Sequence, residues 1–323
     1  MGGFTFCCGD YVNMMDAKGT VTSEILEMIE DDPRVCYINS DSTVGRVAEA
    51  MKVYPDRVLD VGIQEMNMVT VAAGLAKEGY IPFVQTFGPF LCVRALDQIH
   101  NDVCYNDFPV RLIGTHAGLS SGYGPTHNTI IEFAIMNALP NMTMVAPCDA
   151  NQAKKLLRAS LDYEGPIYIR IPRGEEPAVY DDGYEYDYEI GKAIVLGEGK
   201  DLTIIATGMG VYHSVQAARQ LQEEHGLDVG VIDMHTIKPI DKDAIIKAAQ
   251  ATGNIITVED HNINGGLGSI VADVMVEAGV NARLKKIGVP DKFVDHGYPE
   301  EIYPAYGMDT AGIVTTALEF MGK

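Results

Sequence analysis

The segment DVGIQEMNMVTVAAGL, residues 60–75, decides how the chain folds because two periodicities meet in it. An apolar stretch runs into Gly62, and helical spacing begins at Glu65 with Met66 and Val69. This pattern predicts a strand, a tight turn and a helix. Glu65 falls in the first turn of that helix, where the aligned backbone dipoles favour a carboxylate. Because the helix has almost no polar face, we expect it to be buried nearly all round and Glu65 to need a specific partner.

Strand-like and helix-like segments alternate along most of the chain. Strands separated by helices in this way predict an α/β fold with two consecutive open, mainly parallel sheets that carry helices on both faces. The predicted strands are 34–39, 57–61, 81–85, 110–115, 142–146 and 167–171, followed by 202–206, 229–233, 255–259 and 284–287. The predicted helices are 16–30, 44–51, 64–77, 90–103, 129–138 and 150–161, followed by 211–224, 241–252, 267–278 and 310–321.

Two segments break the alternation. Residues 1–15 have no period, so we treat them as an N-terminal extension. Residues 174–188 are rich in acids and tyrosines and predict a linker. The predicted organisation is therefore an extension, a first domain at 16–173, a linker, and a second domain at 189–323.

Composition limits the function. The chain has 323 residues, 47 % of them hydrophobic, a mean hydropathy of +0.03 and a formal net charge of -21. So negative a chain repels nucleic acid, and small anionic substrates need a local basic cluster. No membrane-spanning run or signal peptide is evident, which predicts a cytoplasmic protein. The six cysteines lack the paired spacing of zinc or redox sites, so we expect reduced, structural thiols.

Aromatic and histidine residues follow two predicted strands. Phe87 and Phe90, in the segment TFGPF, form either a stacking face for a planar ring or ordinary core. His116 and His127 stand at the two ends of a loop rich in glycine and serine. Loops after the strands of such sheets bind ligands, and histidine titrates near neutral pH, so the pair is a candidate for substrate contact or proton transfer.

Two arginines and one turn complete the candidates. Arg170 and Arg173 end the last strand of the first domain, where they could bind a phosphate or pair with neighbouring acids. Asp41 and Ser42 follow an early strand, and Asp41 is equally suited to a turn. His261 lies beside two acids, but no further metal ligand has useful spacing, so we predict no metal site in this chain.

From about residue 16 onward the chain resembles the C-terminal half of a transketolase of the kind encoded as a separate polypeptide. The segment GIQEMN at 62–67 is similar to the motif whose glutamate contacts the aminopyrimidine ring of thiamine diphosphate. The resemblance implies that Glu65 activates the cofactor, that Phe90 stacks on its pyrimidine with Phe87 behind, and that the second domain is mostly remote from the chemistry.

The same resemblance assigns the other candidates. It implies that His116 and His127 contact the sugar or relay protons, and that phosphate is bound by Arg170 first and by Arg173 beside it. It also implies that the loop with Asp41 and Ser42 reaches cofactor and substrate.

The chain departs from the family pattern at three places. Val93 stands where the family often has a tyrosine, and the loop at 122–124 lacks an acid that contacts a substrate hydroxyl. The Gly-Asp-Gly motif that holds the diphosphate and magnesium is absent. We therefore expect an obligate partner, an N-terminal transketolase subunit that carries the diphosphate and Mg²⁺, in an α2β2 complex with sites at the interfaces.

The predicted activity is transfer of a two-carbon ketol unit between sugar phosphates. Three alternatives stay open: a 1-deoxyxylulose-5-phosphate synthase, the β subunit of a 2-oxoacid dehydrogenase, and a non-catalytic subunit with the same fold. The synthase resemblance rests on residues 237–241 and 171–174, although that family tends to have arginine at the position of His116.

Overall fold

The structure, a computed structural model, describes residues 13–181 and 186–323. The strands are β1 Met14–Asp16, β2 Val35–Asn39, β3 Val58–Asp60, β4 Ile81–Phe87, β5 Arg111–Thr115, β6 Thr143–Val145, β7 Ile167–Arg170, β8 Glu175–Pro177, β9 Ile194–Gly197, β10 Leu202–Ala206, β11 Val229–Asp233, β12 Thr236–Lys238, β13 Asn254–Asn262 and β14 Arg283–Val289. The α-helices are α1 Ala17–Asp31, α2 Arg46–Val53, α3 Glu65–Lys77, α4 Leu96–Gln98, α5 Glu132–Asn137, α6 Ala150–Ser160, α7 Gly210–His225, α8 Lys242–Thr252, α9 Leu267–Glu277, α10 Pro299–Ala305 and α11 Thr310–Met321.

Two open sheets carry the architecture. Within the described ranges the first has seven strands in the order β12-β6-β7-β5-β4-β2-β3, and the second has five in the order β14-β13-β10-β11-β9. Among these twelve strands, the edge strands β12 and β9 run antiparallel to their neighbours. The central strands β2, β5, β10 and β11 are buried along their whole length, as expected for parallel strands covered on both faces. The predicted α/β fold is confirmed.

Side-chain caps fix where several helices begin. The Asp16 carboxylate accepts a hydrogen bond from the backbone N–H of Gly19 at 2.9 Å and so caps α1, which begins within one residue of the predicted start. Asp149, Asp241 and Asp309 cap α6, α8 and α11 in the same way. A short carboxylate satisfies backbone donors that the first turn leaves unpaired, so these starts are encoded locally.

The segment predicted as one helix at 90–103 is instead interrupted. Two π-helical turns, Phe90–Arg94 and Ile99–Cys104, flank the short helix α4. Buried residues still face the core at helical intervals, which is why the apolar pattern suggested a single helix.

Short elements escaped the sequence analysis. Strand β8 begins the segment predicted as a linker, and it pairs with β1 at the end of the predicted extension. Strands β9 and β12 and helix α10 were also missed. Three or four residues are too few to show a period, and pairing with a distant partner stabilises such strands.

The two halves of the chain share more than a linker. Strand β12, from the second half, pairs with β6 at the edge of the first sheet. One apolar cluster runs from Met144 beside that edge through Ile237 to Ile232 and Ile205 in the second sheet. The second half of the chain therefore extends the first sheet at its β6 side and shares an apolar cluster with it.

Helix α3 is buried on one face only. Met68, Val69 and Ala72 are enclosed, whereas Met66 is 49 % exposed and Gly74 is open. The prediction that the helix is buried nearly all round is wrong for this chain alone. Its exposed positions within the described residues are Met66, Asn67, Thr70, Gly74 and Lys77.

The thiols at Cys36, Cys92 and Cys104 are buried. Burial raises the pKa of Cys36 and of Cys104 to about 12, so these thiols stay protonated at neutral pH. Cys7 and Cys8 lie outside the described residues. Across residues 13–181 and 186–323 no helix is long and apolar enough to cross a membrane.

Candidate active site

The carboxyl edge of the first sheet brings most of the predicted site residues together. The parallel ladder sets Phe87 at the end of β4 opposite Thr115 at the end of β5, and Gly114 opposite Arg170 on β7. Residues that follow neighbouring parallel strands must emerge at the same edge. His116 is therefore placed beside Phe87, although the two lie far apart in the sequence.

Glu65 is buried at the start of α3. Gly62 has φ of +70°, a left-handed conformation that glycine adopts at little cost, and so turns the chain from β3 into the helix. The Glu65 side chain is 3 % exposed, and its Oε2 accepts a hydrogen bond from Nη1 of Arg94 at 2.7 Å. The partner that a buried carboxylate was predicted to need is this arginine.

Arg94 is a site residue that the sequence analysis missed. It ends the first π-helical turn, and its guanidinium carbon lies 4.4 Å from the centre of the Phe90 ring. The Arg94 side chain is 42 % exposed. A spacing of four residues places it on the same face as Phe90, and this was the only signal that could have identified it.

Five rings form one cluster. Phe87 lies parallel to Phe90 with ring centres 5.5 Å apart, and it stacks on His116 at 3.7 Å. His127 meets Phe87 and Phe90 edge-on at 5.8 and 5.3 Å. Tyr123, which the sequence analysis noted only as part of the shortened loop, lies parallel to Phe87 at 6.4 Å. Parallel offset stacking is the geometry in which aromatic faces attract one another and other planar rings.

His116 is held in an uncommon state. Its φ of +59° lies in the left-handed region, where non-glycine residues are infrequent and cluster at functional sites. Burial, together with the charges of Lys18, Arg173 and His127, lowers the pKa of His116 to about 3. Its Nδ1 lies 3.0 Å from Oγ1 of Thr115. The imidazole is thus neutral at pH 7.

A local basic cluster lies beside these histidines. Nη2 of Arg173 donates to the hydroxyl of Tyr123 at 2.8 Å, and the guanidinium lies over that ring at 4.1 Å. Lys18, near the start of α1, is close enough to Arg173 that burial and the arginine charge both lower its pKa. Lys18 was not predicted. The two cations supply a local positive field in a chain whose net charge is strongly negative.

Arg170 is sealed between the domains. Its Nε donates to Glu132 at 2.5 Å and its Nη1 to Asp260 at 2.5 Å, and its side chain is 2 % exposed. Burial alone would lower the pKa of Arg170, but the facing carboxylates of Asp260 and Glu132 raise it above its ordinary value. Tyr303 donates a further hydrogen bond to Asp260 at 2.8 Å. This placement argues against Arg170 as a phosphate ligand and leaves Arg173 as the candidate.

Asp41 and Ser42 occupy a turn beside the start of α3. Asp41 is exposed with φ of +54°, and its backbone N–H donates to Oδ1 of Asp60 at 3.0 Å. The same oxygen accepts the N–H of Gly62 at 2.8 Å. The Ser42 hydroxyl donates to Oδ1 of Asn39 at 3.2 Å. The structure supports the interpretation of Asp41 as a turn residue.

The second domain contacts the loop between His116 and His127. A β-carbon added to Gly122 would lie 2.9 Å from the ring of Tyr298, and one added to Gly124 would lie 3.0 Å from His296. These glycines therefore let the segment before α10 pack closely on the loop. The second domain is less remote from the site than the resemblance implied.

No metal cluster is evident in the parts of the chain that the structure describes, where no three His, Cys, Asp or Glu side chains are grouped to hold an ion. His261 has a structural place instead. Its Nε2 accepts the backbone N–H of Phe133 at 3.1 Å, and its ring stacks on Phe133 at 4.9 Å.

Comparison with known families accounts for both halves of the chain. Residues 13–177 match the family described as transketolase, pyrimidine binding domain, and residues 191–313 match transketolase, C-terminal domain. The chain belongs to the transketolase family. Within it, the chain is 39 % identical over 316 residues to a subunit of the apulose-4-phosphate transketolase of Phocaeicola vulgatus, covering 96 % of this chain and 99 % of that one. It is 40 % identical over 318 residues to a putative transketolase C-terminal section of Methanocaldococcus jannaschii, covering 98 % of each.

Two further relatives share the architecture of this chain, and their names refer to different reactions. A solved structure described as split gene transketolase, inactive beta4 tetramer, matches with a TM-score of 0.86 at 32 % identity, covering 96 % of this transketolase chain and 99 % of that one. A 1-deoxy-D-xylulose-5-phosphate synthase of Geobacter metallireducens is 39 % identical over 269 residues, but the match spans only 43 % of its length. The predicted membership of a split transketolase is confirmed, and the family implies thiamine diphosphate as cofactor.

Proposed function

We propose that the chain is the pyrimidine-end subunit of a heteromeric transketolase that moves a two-carbon ketol unit between sugar phosphates. The observation that carries the proposal is the Glu65 carboxylate. It is buried at the start of α3, and Arg94 joins it to the ring cluster of Phe87 and Phe90. A buried acid beside an aromatic face is the pair of groups that an aminopyrimidine ring requires.

The residues present fit one end of the cofactor. Oε1 of Glu65 accepts no hydrogen bond from any residue within 13–181 or 186–323, so it can meet a ring nitrogen. Phe87 and Phe90 are half-buried and parallel, as a stacking site for a planar ring requires. When bound, thiamine diphosphate would supply the nucleophilic carbon and the electron sink for ketol transfer. In this chain Glu65 would hydrogen-bond the pyrimidine ring and set its protonation state. The stacked rings would orient the pyrimidine and exclude water from it.

Neutral His116 and half-exposed His127 fit contacts with the sugar hydroxyls. Lys18 and Arg173 fit its phosphate, because charge-assisted hydrogen bonds from such groups select phosphate oxygens. Asp41 and Ser42 lie in the turn held by Asp60 and Asn39, beside the start of α3, and we retain them as candidate cofactor and substrate contacts. Which sugar is accepted depends on the loop that contains Tyr123, because residues 122–124 include no acid that could contact a sugar hydroxyl.

A partner subunit is part of the proposal. The sequence lacks the Gly-Asp-Gly motif, so we expect an N-terminal transketolase subunit to supply the diphosphate and Mg²⁺ site. Beside Glu65, Ile63 is 70 % exposed and Met66 49 %, and Val93 is 52 % exposed one residue before Arg94. An apolar rim around a buried acid favours a covering subunit over solvent. We expect two copies of each subunit with the sites at their interfaces.

Reconstitution tests the proposal. The purified chain alone should transfer no ketol units. Together with the N-terminal transketolase section encoded in the same genome, thiamine diphosphate and Mg²⁺, it should transfer them from a ketose phosphate to an aldose phosphate. Transfer by the chain without a partner, or no transfer in a complex that binds the cofactor, would refute it.

The synthase is the second candidate, because its relatives match the chain at nearly the same identity. His116 disfavours it, since that family tends to have arginine at this position. Formation of deoxyxylulose phosphate by the reconstituted complex, without ketol transfer, would favour the synthase.

A further inference from the structure

We infer that Arg94 is a positioning residue that holds Glu65 for the cofactor ring; this inference rests on the proposed function. Nη1 of Arg94 donates to Oε2 of Glu65 at 2.7 Å, and the pair bridges α3 and the π-helical turn Phe90–Arg94. The carboxylate is thus fixed by one oxygen, and Oε1 is left for a ligand.

The same guanidinium fixes a second group. Its carbon lies 4.4 Å from the centre of the Phe90 ring, a distance at which a cation is attracted to the ring face. Arg94 therefore holds the acid and the stacking ring at one mutual distance. A planar guanidinium can do both at once, with its edge on the carboxylate and its face on the ring. Preorganisation of this kind spares the site a rearrangement when the ligand arrives.

The exposure of the pair suits this role. Glu65 is 3 % exposed and Arg94 is 42 % exposed, so the acid is shielded while the cation keeps a hydrated side. The arginine therefore neutralises a buried charge without the full desolvation cost of a sealed ion pair.

The test uses the reconstituted complex with thiamine diphosphate and two measurements: the exchange rate of the C2 proton of the bound cofactor by NMR, and cofactor affinity by calorimetry. Arg94→Met should slow exchange about 10- to 100-fold, the usual effect of losing a residue that orients a reacting group. Affinity should weaken with it. Arg283→Met is the matched control, because Arg283 likewise lies over a phenylalanine, Phe320, at 4.2 Å but is exposed at the start of β14 in the second domain.

A double-mutant cycle separates this inference from the proposed function. Glu65→Gln should slow exchange more than Arg94→Met, and adding Arg94→Met to Glu65→Gln should slow exchange much less than Arg94→Met does in the wild type, because Arg94 acts mainly through Glu65. Equal losses from Arg94→Met in both backgrounds, a wild-type rate, or tighter cofactor binding without the arginine would overturn the inference and leave the function standing. Wild-type exchange in Glu65→Gln would instead refute the function and the inference together. If Arg94→Met does not fold, Arg94→Lys carries the test: it keeps the charge but loses the planar contact, and an unchanged rate overturns the inference.

Discussion

Two arginine–glutamate pairs lie at the same sheet edge and differ in what surrounds them. Arg94 and Glu65 are joined at 2.7 Å with the arginine 42 % exposed, whereas Arg170 and Glu132 are joined at 2.5 Å with exposures of 2 % and 0 %. The first pair has one open side and can meet a ligand. The second is closed by Asp260 from the other domain and can only hold the domains together. Under the proposed function, solvent access and not residue type separates the pair that meets the cofactor from the pair that holds the domains.

The largest effect should come from the acid of the open pair. Glu65→Gln should lower ketol transfer by the reconstituted complex about 10²- to 10⁴-fold, because a positioned proton-transfer group is lost. The thermal midpoint should change little, since exposed Arg94 can be solvated by water. Initial rates and thermal denaturation check both statements. Activity near that of the wild type would mean that the Arg94–Glu65 pair takes no part in the reaction.

The sealed pair should show the opposite signature. Arg170→Met leaves Glu132 and Asp260 buried without a cation, and the unfolding free energy should fall by about 3–5 kcal/mol. Urea denaturation measures this, with Arg283→Met as a surface control. A loss below about 1 kcal/mol, as for exposed pairs, would show that the closed pair does not tie the domains.

Arg170 ends β7 and Arg173 follows it by three residues, but their substitution should affect different quantities. Arg173→Met should raise the KM for a phosphorylated sugar about 10- to 100-fold, the range expected for one charged hydrogen bond. Lys18→Met should act in the same direction. The same sugar without its phosphate is the control substrate and should show no change in KM. An equal loss for both substrates would place Arg173 outside the phosphate site.

The smallest effect concerns pH. His116 is neutral in the folded chain above about pH 3, whereas an unfolded histidine binds a proton below about pH 6.5. The unfolded chain therefore binds one more proton between these values, and stability falls as the pH falls. Relative to His116→Gln, the wild-type unfolding free energy should drop by about 2 kcal/mol from pH 7 to pH 5. Urea denaturation of both proteins at the two pH values measures this. The same difference in unfolding free energy between wild type and His116→Gln at pH 7 and pH 5 would contradict the buried, neutral state.

Long elements with a clear period were predictable and short ones were not. Strands β10 and β11 and helix α11 lie where the apolar pattern placed them. Strands β8 and β12 have three residues each and are stabilised by pairing with residues far along the chain. The site shows the same division, because the sequence predicted Glu65, Phe87 and Phe90 through local motifs but held no sign of Lys18.

The sequence alone determined the alternation of strands and helices, the turn at Gly62 and the place of Glu65 in the first turn of a helix, because neighbouring residues encode period, turn and cap. Only the tertiary structure decided which arginine is exposed to solvent and which is buried. Arg170 and Arg173 are three positions apart, yet packing against Asp260, 90 residues beyond Arg170, buries one, while Tyr123 leaves the other half-exposed. Burial depends on what packs from elsewhere in the chain, and local periodicity carries no record of that.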